Sequence, residues 1–156
     1  MGKIFMSKDG NYQISIKTEA GYISIFSDGE KITELKFDCK VIDKPDRLLL
    51  FTKRLIQKYL KGENVSFERL KVKIDKNEEF YNFIRKIPFG ERISYSEIGK
   101  KLAIHPRKVG LLLSMNKIPI IIPCHRVIYK DGRIGGFSAG KKWKKFLLKI
   151  EGYNPC

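Results

Sequence analysis

Cys124 stands directly after Pro123 and directly before His125 and Arg126, at the end of the apolar run Ile118-Pro-Ile-Ile-Ile-Pro. A cysteine attacks as the thiolate, and an unperturbed thiol, with a pKa of about 8.5, is mostly protonated at neutral pH. A nearby cation, an imidazole or a helix N-terminus each favours the thiolate. This segment supplies an imidazole and a guanidinium at once, which points to covalent nucleophilic chemistry. The apolar run reads as a strand ended by Pro123. Successive side chains on an extended segment point to opposite faces, so proton exchange between Cys124 and His125 requires a turn or a bridging water. Taken alone, a free cysteine is most often a small buried hydrophobe.

The other candidate groups narrow the chemistry. The three cysteines, Cys39, Cys124 and Cys156, are odd in number and widely spaced, which is no disulfide framework. Only two histidines occur, His105 and His125, and there is no C-x-x-C pair. A structural zinc site is therefore not expected, nor any other metal or cofactor. Cys39 follows an alternating run and reads as an inert buried thiol, and His105 reads only as the residue before a helix.

The elements around these residues fall into two halves. In residues 1–75, Y12-Q-I-S-I-K, G21-Y-I-S-I-F and I32-T-E-L-K-F alternate apolar and polar residues, with Asp28-Gly29 as a turn pair. They predict a small antiparallel sheet. A helix follows, with Asp43 as cap, Pro45 in its first turn and Gly62 past its end. Leu48, Phe51, Leu55 and Tyr59 form its apolar stripe, with Leu49, Ile56 and Leu60 alongside. Residues 69–78 read as a last strand and a linker.

Residues 76–156 read as mostly helical. One helix carries Phe80, Phe83, Ile84 and Ile87 on one face and stops at Pro88. Ser94 and Glu97 have the spacing of a capping box. After the break at His105-Pro106, R-K-V-G-L-L-L-S-M-N forms the next helix. Two short helices around a tight break, the second entered by basic residues, make a helix-turn-helix pattern. Val127 to Phe137 reads as two strands around Asp131-Gly132, a wing. Residues 141–152 read as a basic amphipathic helix with Trp143, Leu147 and Ile150 on its apolar face and its lysines in solvent.

Charge separates the halves. Residues 1–75 carry 15 basic and 11 acidic residues, and residues 76–156 carry 17 and 6. The surplus of the second half points to a polyanion partner. No apolar run approaches the roughly 18–20 residues that span a bilayer. The start, M-G-K-I-F-M, has no signal-peptide layout and has Met6 where a myristoylation motif takes Ser or Thr. A cytoplasmic protein with no membrane partner is expected.

The segments G-E-R-I-S-Y-S-E-I-G, P-R-K-V-G, M-N-K-I-P-I-I-I-P-C-H-R-V, G-R-I-G-G-F-S-A-G and F-L-L-K-I-E-G follow one another over residues 88–152. In this order and spacing they resemble the O6-alkylguanine-DNA alkyltransferase family. The first 75 residues match only in length and layout. The resemblance implies a ribonuclease H-like α/β unit over 1–75, and a winged helix-turn-helix-like domain over 76–156 that binds DNA and transfers the alkyl group.

The resemblance also implies roles. Cys124 accepts the alkyl group, His125 draws the thiol proton through a water, and Glu151 holds and polarises His125. Asn116 braces the turn beside Cys124. Tyr95 donates its phenol proton to the leaving guanine, and Ser138 offers a backbone N–H near guanine O6. The carbonyls of Cys124 and Val127 accept from the guanine amino group. Arg107 fills the space left by the flipped nucleotide, its helix lying in the minor groove. Arg126 is counted among the DNA contacts.

Leu113 stands where many members have Met, Phe137 where Tyr is frequent, and Ala139 where a small residue, often Gly, lines the pocket. The implied partner is double-stranded DNA containing O6-alkylguanine, with O4-alkylthymine as a further substrate, met by a monomer without cofactor. Three other readings use the same residues. A lesion-binding relative without transfer would replace the cysteine of the motif. A hydrolase built on Cys124, His125 and Glu151 would need an oxyanion hole. A transcription regulator would leave P-C-H-R unexplained.

Overall fold

The computed structural model describes residues 11–154; the expectations for Met6 and Cys156 lie outside the described residues. The chain divides into two compact units, Met1–Lys76 and Asn77–Cys156.

In the first unit, β1 (Tyr12–Thr18), β2 (Gly21–Ser27) and β3 (Ile32–Phe37) form an antiparallel sheet in the order β1-β2-β3. The register sets Ile14 opposite Ile25, Ile16 opposite Ile23, and Ile25 opposite Leu35. Directly opposed side chains share a face, so these five buried residues form one apolar surface. Each buried aliphatic side chain there contributes about 1.5–3 kcal/mol. Helix α1 (Arg47–Leu60) packs on β1 and β2. On the other face, the Ser15 and Ser24 hydroxyls lie 3.0 Å apart, and Ser24 Oγ donates to the Cys39 carbonyl.

Three expectations for this unit are corrected. The cap of α1 is Asp46, whose Oδ1 accepts from Leu49 N at 2.8 Å; Asp43 accepts from Ser15 N at 3.0 Å. The buried face of the helix carries Leu49, Thr52, Ile56 and Tyr59, while Phe51, expected in the apolar stripe, is exposed. The last strand reduces to one bridge, Val72 beside Ile32.

The second unit contains α2 (Glu78–Arg85), β4 (Ile93–Ser94), α3 (Tyr95–Leu102), α4 (Pro106–Ser114), β5 (Val127–Ile128) and α5 (Lys141–Ile150). Ser94 caps α3, its hydroxyl accepting from Glu97 N at 3.1 Å. The helix-turn-helix break is tight. Ala103 sits in the left-handed region, and a side chain at Gly99 would put its Cβ 2.7 Å from the Ile104 carbonyl. Pro106 opens α4 and His105 caps it, Nδ1 accepting from Arg107 N at 3.0 Å. The Tyr81 hydroxyl of α2 donates to Leu112 O of α4 at 2.6 Å.

The wing is also corrected. Tyr129 to Arg133 closes a turn, with Tyr129 N donating to Arg133 O at 2.8 Å, but no strand follows it among the described residues. Instead β5 pairs in parallel with β4, Ile93 beside Val127. Among the described residues no helix is long and apolar enough to cross a membrane.

Candidate active site

The run before Cys124 is not a strand. Ile118, Ile120, Ile121 and Ile122 are all buried, Ile120 has φ +72°, and Ile122 N donates to Ile118 O at 2.9 Å. A continuous apolar run fits any fully buried segment, so periodicity alone does not separate strand from buried turn. Asn116 clamps this turn from inside. Its Nδ2 donates to Ile122 O at 2.9 Å, and its Oδ1 accepts from Ile118 N at 3.0 Å. Pro123, at φ −79° and ψ 64°, has the geometry of an inverse γ-turn, closed by Cys124 N donating to Ile122 O at 2.7 Å. The chain then enters one 3-10 turn, Cys124–Arg126. Three residues per turn separate neighbouring side chains by about 120°. This turn replaces the extended geometry that the sequence pattern implied.

Glu151, the last-turn cap of α5, gathers the two residues after Cys124. Its Oε2 lies 2.5 Å from His125 Nε2, and its Oε1 accepts from Arg126 Nε at 2.8 Å and Gly90 N at 2.9 Å. Arg126 Nη1 donates to Ile87 O at 2.6 Å. Arg126 is thus buried in an ion pair and not presented to DNA, which corrects its expected place among the DNA contacts. A guanidinium this deep needs a carboxylate partner, and Glu151 is that partner.

Burial pushes the His125 pKa down, against the opposing pull of Glu151. With Nε2–H given to the carboxylate, Nδ1 is the ring nitrogen that carries the lone pair. Burial pushes the Cys124 thiol up, while the Asn116 side chain and the Lys144 charge draw it down. The resting form is the thiol beside a neutral imidazole, so the thiolate has to be made by proton removal.

Lys144 is fully buried, not in the solvated run expected for α5. Its Nζ donates to Val127 O at 2.7 Å and Gly136 O at 3.2 Å. Desolvation lowers its pKa to about 8, against the pull of Cys124. The readable signal was its helical spacing: Lys144 lies three and four residues before Leu147 and Leu148, on the buried face.

A cavity of about 350 Å³ opens against Cys124. Tyr95, Leu113, Phe137 and Ser138 line it, as do Gly110, Ser114, Tyr129 and Gly136, which the sequence pattern did not single out. The Tyr95 and Tyr129 rings meet at 4.8 Å between centroids. Burial raises the Tyr95 phenol to about 12, so it keeps its proton across neutral pH. Gly135, at φ +78°, makes room for that phenol: a Cβ there would lie 2.5 Å from the Tyr95 hydroxyl. Arg107 is exposed as the second residue of α4. Val127 is buried, with its carbonyl already engaged by Lys144. Among the described residues no group of three or more histidines, cysteines or carboxylates comes together as metal ligands.

Residues 75–153 match the family described as 6-O-methylguanine DNA methyltransferase, DNA binding domain. The chain is 41% identical to a methylated-DNA--protein-cysteine methyltransferase of Methanopyrus kandleri over 70% of this chain and 85% of that one. It is 35% identical to the protein of the same name from Metallosphaera sedula, over 85% and 87%. The fold is similar to that of Mycobacterium tuberculosis O6-methylguanine methyltransferase, with TM-score 0.77 and 24% identity over 90% of this chain and 92% of that one. This chain belongs to the 6-O-methylguanine DNA methyltransferase family.

Proposed function

We propose that this protein repairs DNA by direct reversal, moving the alkyl group of O6-alkylguanine onto Cys124 in a reaction each molecule performs once. The observation that carries the proposal is the Cys124 thiol in the wall of a base-sized cavity, followed in the chain by His125, which is buried and paired with Glu151. Methylated-DNA--protein-cysteine methyltransferase is the name of relatives covering most of the chain.

The target carbon is shielded inside a stacked duplex, so the nucleotide must swing out, at a cost of a few kcal/mol. His125 Nδ1 takes the Cys124 proton through a water, and Glu151 stabilises the imidazolium. Asn116 and Lys144 favour the thiolate. Sulfur attacks the alkyl carbon in line; the S–C bond forms as the C–O6 bond breaks, and the electron pair leaves with guanine. Tyr95 supports that charge by donating a hydrogen bond, and guanine gains the proton that the thiol lost. A thioether remains, and its unactivated S–C bond does not hydrolyse.

The second unit carries both DNA binding and transfer. Arg107 meets the DNA, and Leu113, Phe137 and Ser138 hold the base. O4-alkylthymine fits the same chemistry, and on this reading the protein works with the DNA in the cytoplasm.

Incubation with duplex DNA containing O6-methylguanine, followed by intact-mass measurement, tests this reading. One added methyl on Cys124 per protein is expected, with none in Cys124→Ser. Continuous turnover would make it a hydrolase, and tight lesion binding at unchanged mass would make it a recognition module.

A further inference from the structure

Two tyrosines arrive at the cavity in step. Strands β4 and β5 pair in parallel, with Ile93 beside Val127 and Ser94 beside Ile128. Each strand is two residues long, and each is followed at once by a tyrosine, Tyr95 and Tyr129. Neighbouring strands lie about 4.7–4.9 Å apart, so the register delivers the two residues side by side. Their rings meet at 4.8 Å between centroids and 43° between planes, and both line the cavity. Tyr129 is itself held in place. Its N–H donates to Arg133 O at 2.8 Å, and its carbonyl accepts from Gly132 N at 3.0 Å. The Arg133 guanidinium lies over the Tyr129 ring, 4.7 Å from the centroid, and Asp131 Oδ2 accepts from Arg133 Nε at 2.8 Å. Tyr129 is nevertheless 43% exposed, so sealing the core is not what its ring does.

We propose that Tyr129 is a positioning residue for Tyr95, its ring holding the phenol in the orientation from which it donates to the leaving guanine. The role rests on the alkyl-transfer reading, in which Tyr95 supports the charge that develops on guanine. A hydrogen bond weakens steeply as its angle closes, and a misplacement of about 1 Å can cost a hundredfold in rate. Helical side chains lean on the turn before their own residue, but Tyr95 is the first residue of α3 and has no earlier turn to lean on. Gly135 leaves its hydroxyl room, and Lys144 Nζ lies 5.8 Å from its ring centroid. Tyr129 adds the flat apolar surface against which the ring rests, on a turn fastened by Arg133 and Asp131.

Single-turnover transfer from duplex DNA containing O6-methylguanine, at saturating DNA, tests the role in the full chain. The variants are Tyr129→Leu, Tyr129→Phe, Tyr95→Phe, and Tyr95→Phe combined with Tyr129→Leu. Tyr129→Leu slows transfer by about tenfold, and Tyr129→Phe, which keeps the ring, stays within about twofold of the parent. In the Tyr95→Phe background there is no phenol proton to place, so Tyr129→Leu changes the rate by less than about twofold. The NMR signals of the Tyr95 ring shift in Tyr129→Leu and hold in Tyr129→Phe. Equal slowing by Tyr129→Leu with and without the Tyr95 hydroxyl overturns the proposal, because the ring would then act on the base or on the fold. A parent rate in Tyr129→Leu overturns it as well. A parent protein that puts no alkyl group on Cys124 overturns the alkyl-transfer reading and this role with it, whereas failure of the role alone leaves transfer by the parent intact.

Discussion

The Glu151 carboxylate reaches the His125 imidazole at 2.5 Å, Oε2 to Nε2, with neither side chain open to solvent. Substitution Glu151→Gln preserves the shape but removes the charge that raises His125 and pairs Arg126. A buried guanidinium left without its carboxylate costs about 3–5 kcal/mol. Urea unfolding should show a loss of that order, and single-turnover transfer from methylated duplex should slow by about a hundredfold. Lesion affinity, measured separately, should change far less.

Acid should weaken the fold through His125. Its pKa in the folded protein lies below 6.5 because of burial. Below 6.5 the unfolded chain therefore binds a proton that the folded chain refuses, and stability falls as pH falls. Urea midpoints over roughly pH 7 to 5 should drop more steeply for the parent than for His125→Asn. Equal slopes would show that the imidazole ionises as freely in the fold as outside it.

Lys144→Met keeps an unbranched side chain on α5 and removes the cation that draws Cys124 toward the thiolate. Transfer at neutral pH should slow by about tenfold, and the rising limb of the rate–pH profile should move to higher pH. Stability carries a second signature. Lys144 titrates at about 8 in the fold, against 10.5 for an ordinary lysine, so between these the unfolded chain holds the extra proton and parent stability rises with pH. The parent-minus-variant difference in urea midpoint isolates that rise, and a flat difference would contradict it.

Gly135→Ala should act as an active-site variant although it adds one methyl group. The left-handed φ costs about 1–2 kcal/mol for alanine, and the new Cβ pushes on the Tyr95 hydroxyl. Thermal unfolding should report the first effect. The transfer rate should fall to near that of Tyr95→Phe, since both variants withdraw the same hydrogen-bond donor.

The parts of this protein that were legible in its sequence are those with local causes. Ser94 capping α3, Pro106 opening α4 and the alternation of β1 to β3 are each set by neighbours a few residues away. The illegible parts depend on distant partners. Ile118 to Ile122 has the composition of a strand and folds as a turn because the Asn116 side chain serves its backbone. Lys144 and Arg126 carry charges that by type belong in solvent. Lys144 is buried where the Val127 and Gly136 carbonyls accept from it, and Arg126 where Glu151 pairs with it. Asp46 caps α1, while Asp43 accepts from the Ser15 amide, a partner 28 residues away in the chain.

Asn116 spends its amide on both arms of the apolar loop, and the Cys124 amide is committed to Ile122. The sulfur is therefore aimed by the main chain before any lesion arrives. A catalyst that cycles can tolerate misfires, because the next attempt corrects them. A reagent consumed by its first success cannot, so its accuracy has to be installed while the chain folds.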